Sequence, residues 1–141
     1  MVDVSNVLKI RLLAPVLTAM ALVACAPSPE VQQRGNEVFD ILYPRAFPSE
    51  MAKAIAARCP SLGYRYDLRT KMIQETEKDL RERGYTRADI REATRQINGS
   101  RIERDTKEYL AKNQVEEPED LCRAGEREHA RQSEIGKYLT R

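Results

Sequence analysis

His129 is the one histidine in this 141-residue chain, and it ends the tetrapeptide EREH at residues 126–129. Di-iron helix bundles use this E-x-x-H spacing, but they need two such motifs and two further glutamates. A second histidine does not exist here, so we interpret His129 and its glutamates as a charged surface cluster. The sequence also has no G-x-S-x-G, no lysine three residues after a serine or threonine, and no glycine-rich phosphate loop. We therefore predict no catalytic residue, no metal site, no cofactor and no enzymatic activity.

Cys25 stands where an export signal would be processed. Lys9 and Arg11 precede the apolar run at residues 12–23, which is shorter than the roughly 20 residues that a membrane span requires. A basic segment, a short apolar segment and small residues at the cut site are typical of an export signal. The tetrapeptide LVAC at residues 22–25 resembles the lipobox of bacterial lipoproteins, in which the cysteine sulfur receives a diacylglycerol. We predict that Cys25 is lipidated and becomes the first mature residue.

Two other interpretations of Cys25 stay open at this point. The tripeptide ACA at residues 24–26 has the form of an ordinary secretory cut site, which would leave Pro27 as the new N-terminus. A proline after the cut has no amide hydrogen and a fixed φ, so it should be a poor substrate for that peptidase. In the third interpretation, Cys25 is buried in a retained N-terminal helix.

The lipobox interpretation divides the chain into three parts. Residues 1–24 form the signal peptide, residues 25–30 an extended tether, and residues 31–141 a single helical domain. Two or more acyl chains anchor a protein stably, so we expect a lasting attachment to the membrane. Ala26, rather than Asp, follows the cysteine, which by analogy with enterobacterial sorting favours the outer membrane. The predicted location is the periplasmic face of a Gram-negative cell envelope.

The charge of the mature chain limits the choice of partners. Removing residues 1–24 takes two of the 24 basic and one of the 22 acidic residues, and leaves 117 residues with a net charge of +1. Nucleic-acid-binding domains usually carry a strongly basic patch. We therefore predict no nucleic-acid partner.

Cys59 and Cys122 remain after Cys25 is assigned to lipid. Exported proteins occupy an oxidising space, in which disulfides persist. Closing a loop of about sixty residues would stabilise the fold by roughly 4 kcal/mol in the chain-entropy model. We expect a structural disulfide. The alternatives are a pair of free buried thiols or reactive thiols with a redox role, although the spacing is unlike C-x-x-C.

The apolar residues recur with helical rather than strand periodicity, so we predict an all-α bundle of five or six helices. Pro44 and Pro48 are expected to impose an extended link after the first helix, and Ser49 to begin the second. The predicted helical segments are residues 30–42, 49–58, 61–84, 86–97, 100–113 and 118–139. The residues that we expect to be buried on their inner faces include Leu62, Ile73, Leu80, Ile90, Ile97 and Leu139. We also expect the aromatic residues to fill the core rather than to form a partner groove: Phe39, Tyr43, Phe47, Tyr64 and Tyr66.

Three segments carry a family resemblance: RCPSL at 58–62, LCRAGE at 121–126 and SEIGKYL at 133–139. They resemble a domain-of-unknown-function family of small exported alphaproteobacterial proteins with a CPS…LC-x-x-G-E pattern, and the similarity covers roughly residues 50–140. Cys59 and Cys122 match the cysteine pair of that family. The resemblance implies export, helical content and a disulfide, and it brings no activity.

Our leading hypothesis is a non-enzymatic lipoprotein that is attached to the membrane by its lipid and binds another component of the envelope, such as an envelope protein. A second hypothesis is a small periplasmic chaperone-like protein that opens reversibly in acid. An enzyme ranks third.

Overall fold

The computed structural model describes residues 27–97 and 99–141. Five α-helices make up most of this part of the chain, and they confirm the predicted all-α bundle. They are α1 (Pro29–Ala56), α2 (Tyr66–Glu82), α3 (Arg87–Ile97), α4 (Ser100–Lys112) and α5 (Pro118–Arg131). A 3-10 helix (Gly136–Tyr138) and two short strands, β1 (Gly63–Tyr64) and β2 (Leu139–Thr140), complete it. No helix in these described ranges is long and apolar enough to cross a membrane.

Helix α1 runs without interruption through Pro44 and Pro48, so the predicted extended link and separate second helix are wrong. A proline inside a helix removes one backbone hydrogen bond and crowds the preceding turn. The cost is met by burial on both sides of the two prolines. Tyr43 is 3% exposed and stacks on Phe39 at a centroid distance of 5.1 Å, while Ile55 is fully buried farther along the helix.

The start of α1 also differs from the prediction. Ser28 is the N-cap and accepts a hydrogen bond from the Val31 amide at 3.3 Å, and Pro29 is the first helical residue. Proline is well suited to this position because its missing N–H would have no partner there. The last two residues of the predicted tether, Pro29 and Glu30, are therefore helical.

The chain between α1 and α2 and the chain after α5 form a two-stranded antiparallel sheet that we did not predict. Gly63 pairs with Thr140, and Tyr64 pairs with Leu139. This pairing delays the start of α2 to residue 66. At the other end, Gln132 adopts a left-handed φ of 48° and ends α5, so the predicted continuation of the last helix to Leu139 is wrong.

Side-chain contacts along α1 show how the other helices run. Arg34 contacts Asp89, Asp40 contacts Arg101 and Tyr43 contacts Asp105, so α3 and then α4 run parallel to α1. Helix α2 runs antiparallel, because Arg69 pairs with Glu50 and Asp79 pairs with Arg45. Helix α1 is thus the central element of the bundle.

Two hydrophobic cores lie along α1. The first surrounds its C-terminal half and contains Met51, Ala52, Ile55, Cys59, Leu62, Tyr109, Leu121, Ile135, Tyr138 and Leu139. The second surrounds its N-terminal half and contains Val38, Phe39, Tyr43, Leu80 and Ala93.

The buried positions were predicted with mixed success. Leu62, Leu80 and Leu139 are at most 5% exposed, as expected. Ile90 and Ile97 are half-buried. Ile73 is 36% exposed and Tyr66 is 64% exposed, so these two residues were wrongly assigned to the core.

Cys59 and Cys122 form the predicted disulfide, with their Cα atoms 5.3 Å apart. Cys59 belongs to the first core and is 1% exposed. The bond connects the turn after α1 to the first turns of α5.

Candidate functional site

An elongated groove of about 570 Å³ lies between α2 on one side and α3 and α4 on the other, with α1 as its floor. Leu42 and Ala46 of α1 form the floor. The residues that line the walls are mostly aliphatic: Met72, Ile73, Thr76, Glu77, Leu80, Ile90, Thr94, Ile97 and Ile102. Glu50 and Arg69 close one end with an ion pair at 3.0 Å.

The groove exists because α2 is buried along only a small part of its length. Thr76 and Leu80 are its only buried residues. Two ion pairs, Arg69–Glu50 and Arg45–Asp79, hold α2 against α1. The aliphatic face that contains Ile73 is therefore left facing an open space instead of α3.

The polar groups inside the groove already have partners within the protein. The Thr76 hydroxyl accepts a hydrogen bond from the Arg45 guanidinium at 3.4 Å and donates one to the Met72 sulfur at 3.8 Å. The Thr94 hydroxyl donates to the carbonyl of Ile90 at 2.8 Å. Burying a hydroxyl that has no hydrogen-bonding partner costs free energy. An apolar occupant could enter the groove without this cost, because both hydroxyls are already paired.

A smaller, charged cavity of about 240 Å³ adjoins the groove, because both are lined by Glu77 and Ile90. Arg81 and Arg87 complete its lining. We call this cavity the basic mouth of the groove. Arg81 approaches Glu77 at 3.9 Å, whereas Arg87 has no hydrogen-bonding or ionic partner among the described residues. The mouth therefore has an excess of one positive charge.

Asp89 fixes the edge of the groove next to the basic mouth. It is 1% exposed, and its carboxylate accepts hydrogen bonds from Arg34 at 3.0 Å and from the Thr86 amide at 2.7 Å. Arg34 also donates to the carbonyl of Gly84 at 2.7 Å, where α2 ends. Burial opposes ionisation of Asp89, but the hydrogen bonds from Thr86 and Arg34 outweigh it and lower its pKa.

A second polar cluster joins α4 to α1. The Tyr43 hydroxyl donates to Asp105 at 2.7 Å, and the Arg101 guanidinium lies 4.5 Å from the centroid of the Tyr43 ring. Burial, followed by the bond to Asp105, raises the pKa of Tyr43. This cluster positions α4, and through it Ile102, at the end of the groove.

The residues that the sequence singled out lie elsewhere. Cys25 lies outside the described residues. His129 is half-buried on α5. Glu126 accepts a hydrogen bond from the Ser61 hydroxyl at 3.4 Å, and Glu128 accepts one from the Ser133 hydroxyl. In the part of the chain that the structure describes, no three His, Cys, Asp or Glu side chains are grouped so that they could hold a metal ion.

Sequence comparison assigns the family. Residues 41–140 match DUF5333, a family of unknown function. The chain belongs to DUF5333. The DUF5333 segment begins inside α1, at Ile41, and contains the disulfide and every residue that lines the groove. No curated protein and no solved structure matches the chain significantly.

The sequence reasoning missed the groove in this DUF5333 protein, although it found several of its walls. Ile73, Leu80, Ile90 and Ile97 were recognised as the apolar faces of two helices. Helical periodicity identifies such a face but does not reveal what covers it. A usable signal was the charge density of α2, where Leu68, Met72, Ile73 and Leu80 are the only large apolar residues after Tyr66.

Proposed function

We propose that this DUF5333 protein is a non-enzymatic lipoprotein of the cell envelope, anchored through Cys25, that binds another envelope component in its groove. The lipobox-like tetrapeptide at residues 22–25 supports the anchor. The Cys59–Cys122 disulfide suits an oxidising compartment. The resemblance to small exported alphaproteobacterial proteins points to the periplasmic side of a Gram-negative envelope, and Ala26 favours the outer membrane.

The groove is the observation that carries the binding role. Ligand sites in proteins usually measure about 300–1,000 Å³ and are lined mostly by apolar side chains with a few polar groups. The groove has a volume of about 570 Å³ and a largely aliphatic lining. Polar groups lie mainly at its two ends, at the Glu50–Arg69 ion pair and at the basic mouth.

The position of the groove also suits a protein tethered by its N-terminus. Helix α1 begins at Pro29, four residues after Cys25. The basic mouth lies beside the first turns of α1, because Arg34 contacts both Gly84 and Asp89. A component presented at the membrane surface would therefore meet the mouth of the groove first.

Photo-crosslinking in intact cells tests this function. A photoreactive amino acid replaces Ile73 on the rim of the groove or, as the control, Glu119, which is exposed at the start of α5. We expect a specific envelope adduct from position 73 and none from position 119. Equal labelling from both positions, or no adduct from position 73, would refute the groove as a binding site.

The alternative function, a chaperone-like protein that opens in acid, has one structural observation in its favour. The carboxylates of Asp79 and Asp89 hold α2 and the start of α3 on α1, and both have lowered pKa values. A carboxylate with a lowered pKa stabilises the fold at pH values above its ordinary pKa of 3.8, where it is ionised. This stabilisation is lost as the pH falls below 3.8 and the carboxylate takes up a proton in the folded protein. This function predicts reversible binding of a hydrophobic dye in acid, and a protein that binds no dye below pH 3.8 would exclude it.

A further inference from the structure

The groove and its basic mouth together form an amphiphilic site: an aliphatic channel that ends at two arginines. We infer that its occupant is an anionic phospholipid, with an acyl chain in the groove and the phosphate at Arg81 and Arg87. This inference rests on the proposed function, since it names the component that the groove binds.

The interior of the groove favours a hydrocarbon chain. Its floor and walls are formed chiefly by leucine, isoleucine, alanine and methionine side chains, and Ile73 is 36% exposed to solvent. Covering such a surface is favourable by roughly 25 cal/mol for each Å² removed from water. The hydroxyls of Thr76 and Thr94 are already hydrogen-bonded within the protein. The interior thus offers little to a polar ligand.

The groove also has the elongated shape that an acyl chain requires. On α2 its lining extends from Arg69 to Leu80. Eleven residue steps of an α-helix correspond to roughly 16 Å at 1.5 Å per residue. One end is closed by the Glu50–Arg69 ion pair and the other adjoins the basic mouth, so the site has a distinct tail end and head end.

The charges at the mouth select an anionic head group. Glu77 is the acidic residue of this cavity, and Arg81 lies within 3.9 Å of it. Arg87 is left without a partner among the described residues. A guanidinium can donate two parallel hydrogen bonds to a phosphate, which makes arginine a frequent phosphate ligand. An anionic phosphodiester therefore complements the charge at this end of the groove.

The test uses the mature, lipid-anchored protein on phosphatidylcholine vesicles. The vesicles contain a trace of phosphatidylglycerol whose acyl chain carries a photoactivatable diazirine, or the same diazirine chain on phosphatidylcholine as the zwitterionic comparison. After illumination and digestion, mass spectrometry locates the labelled peptides. We expect the phosphatidylglycerol probe to label peptides from α2 and α3, and the phosphatidylcholine probe to label them much less.

Three variants make the test specific. Arg87→Glu should reduce labelling by the phosphatidylglycerol probe about tenfold, the order expected for the loss of one hydrogen bond between charged groups. Thr94→Phe, at an exposed position in the groove wall, should block the channel and reduce labelling by any acyl chain. Arg131→Glu makes the same charge change on α5 and should have no effect. Circular dichroism confirms that each variant is folded.

The outcomes separate the inference from the proposed function. Equal labelling by the two probes, unaffected by Arg87→Glu, would overturn the anionic head group and with it the inference. Absence of lipid labelling, together with a protein adduct from position 73 in cells, would also overturn the inference, but would leave the binding function intact with a partner helix as the occupant. Absence of both signals would overturn both.

Discussion

Replacing both Cys59 and Cys122 by alanine removes the bond between the turn after α1 and α5. The two cysteines are 63 positions apart, so the bond closes a large part of the domain into a loop. A cross-link of this kind acts mainly on the unfolded chain by reducing the number of conformations available to it. The double variant should therefore fold to the same structure with a lower free energy of unfolding.

The size of this effect follows from the loop. For 63 residues, the chain-entropy relation gives a stabilisation of about 4 kcal/mol at 25 °C. Residual structure in the unfolded chain and loss of sulfur packing at Cys59, which is 1% exposed, modify this value. We expect the free energy of unfolding to fall by about 3–5 kcal/mol, a large share of the 5–15 kcal/mol typical of a domain.

Urea unfolding followed by circular dichroism measures this difference. Reductant should lower the stability of the wild-type protein to that of the double variant and leave the variant unchanged. The dependence on urea should also become steeper, because an open chain exposes more surface than a cross-linked one. Ser61→Ala, at an exposed position near Cys59, is the control and should change stability by less than about 0.5 kcal/mol. A loss below about 1 kcal/mol in the double variant would refute the loop argument.

Three further predictions test other parts of the structure. Cys25→Ser should leave the protein unprocessed or soluble, and fractionation with the membrane at an unchanged mature mass would contradict the anchor. Leu80→Ala should lower the free energy of unfolding by about 2–5 kcal/mol, whereas Ile73→Ala should lower it by less than about 1 kcal/mol. Equal losses of stability for the two variants in thermal unfolding would place Ile73 in the core. Asp89→Ala should lower the free energy of unfolding by about 2–4 kcal/mol at neutral pH, because it removes a buried, hydrogen-bonded carboxylate. The difference in stability between the variant and the wild type should shrink below the ordinary pKa of 3.8, and the same substitution at Asp67, an exposed carboxylate, is the control. A difference that does not change with pH would refute the role of ionised Asp89.

The helix boundaries that depend on local chemistry were largely predictable from the sequence. Gly84 has a φ of 81° and ends the α2 region, as its position before an apolar residue indicated. Thr86 and Asp89 have the three-residue spacing of a capping box, and the structure shows its hydrogen bonds in both directions. Ser100 and Glu103 have the same S-x-x-E spacing, which favours a capping box with Ser100 as the N-cap, but Gly99 is the N-cap of α4.

The boundaries that depend on distant contacts were not predictable in this way. Pro44 and Pro48 break the local rules for a helix, yet α1 continues because residues on both sides are buried in two cores. Likewise, Leu139 was predicted to lie in the last helix, but it belongs to β2 and pairs with Tyr64, a residue 75 positions earlier in the chain. Neither effect is visible in a window of neighbouring residues.

The candidate site shows the same limit. Ile73 and Ile90 belong to apolar helix faces that periodicity found correctly. Their exposure depends on how closely α2 approaches α3, and this is set by the Arg69–Glu50 and Arg45–Asp79 ion pairs. The position of Arg87 at the basic mouth could not be predicted from the sequence, since no pattern distinguishes one arginine in a chain with many charged residues.

Methyl NMR on nanodiscs tests the central claim, that the groove binds an anionic phospholipid, most directly. Isoleucine methyl spectra of the anchored protein are compared on phosphatidylcholine discs with and without phosphatidylglycerol. The groove is lined by Ile73, Ile90, Ile97 and Ile102, while Ile55 and Ile135 lie in the first core. Our account predicts that phosphatidylglycerol shifts the four groove signals and leaves the two core signals unchanged. Unchanged groove signals, or equal shifts at Ile55 and Ile135, would contradict it.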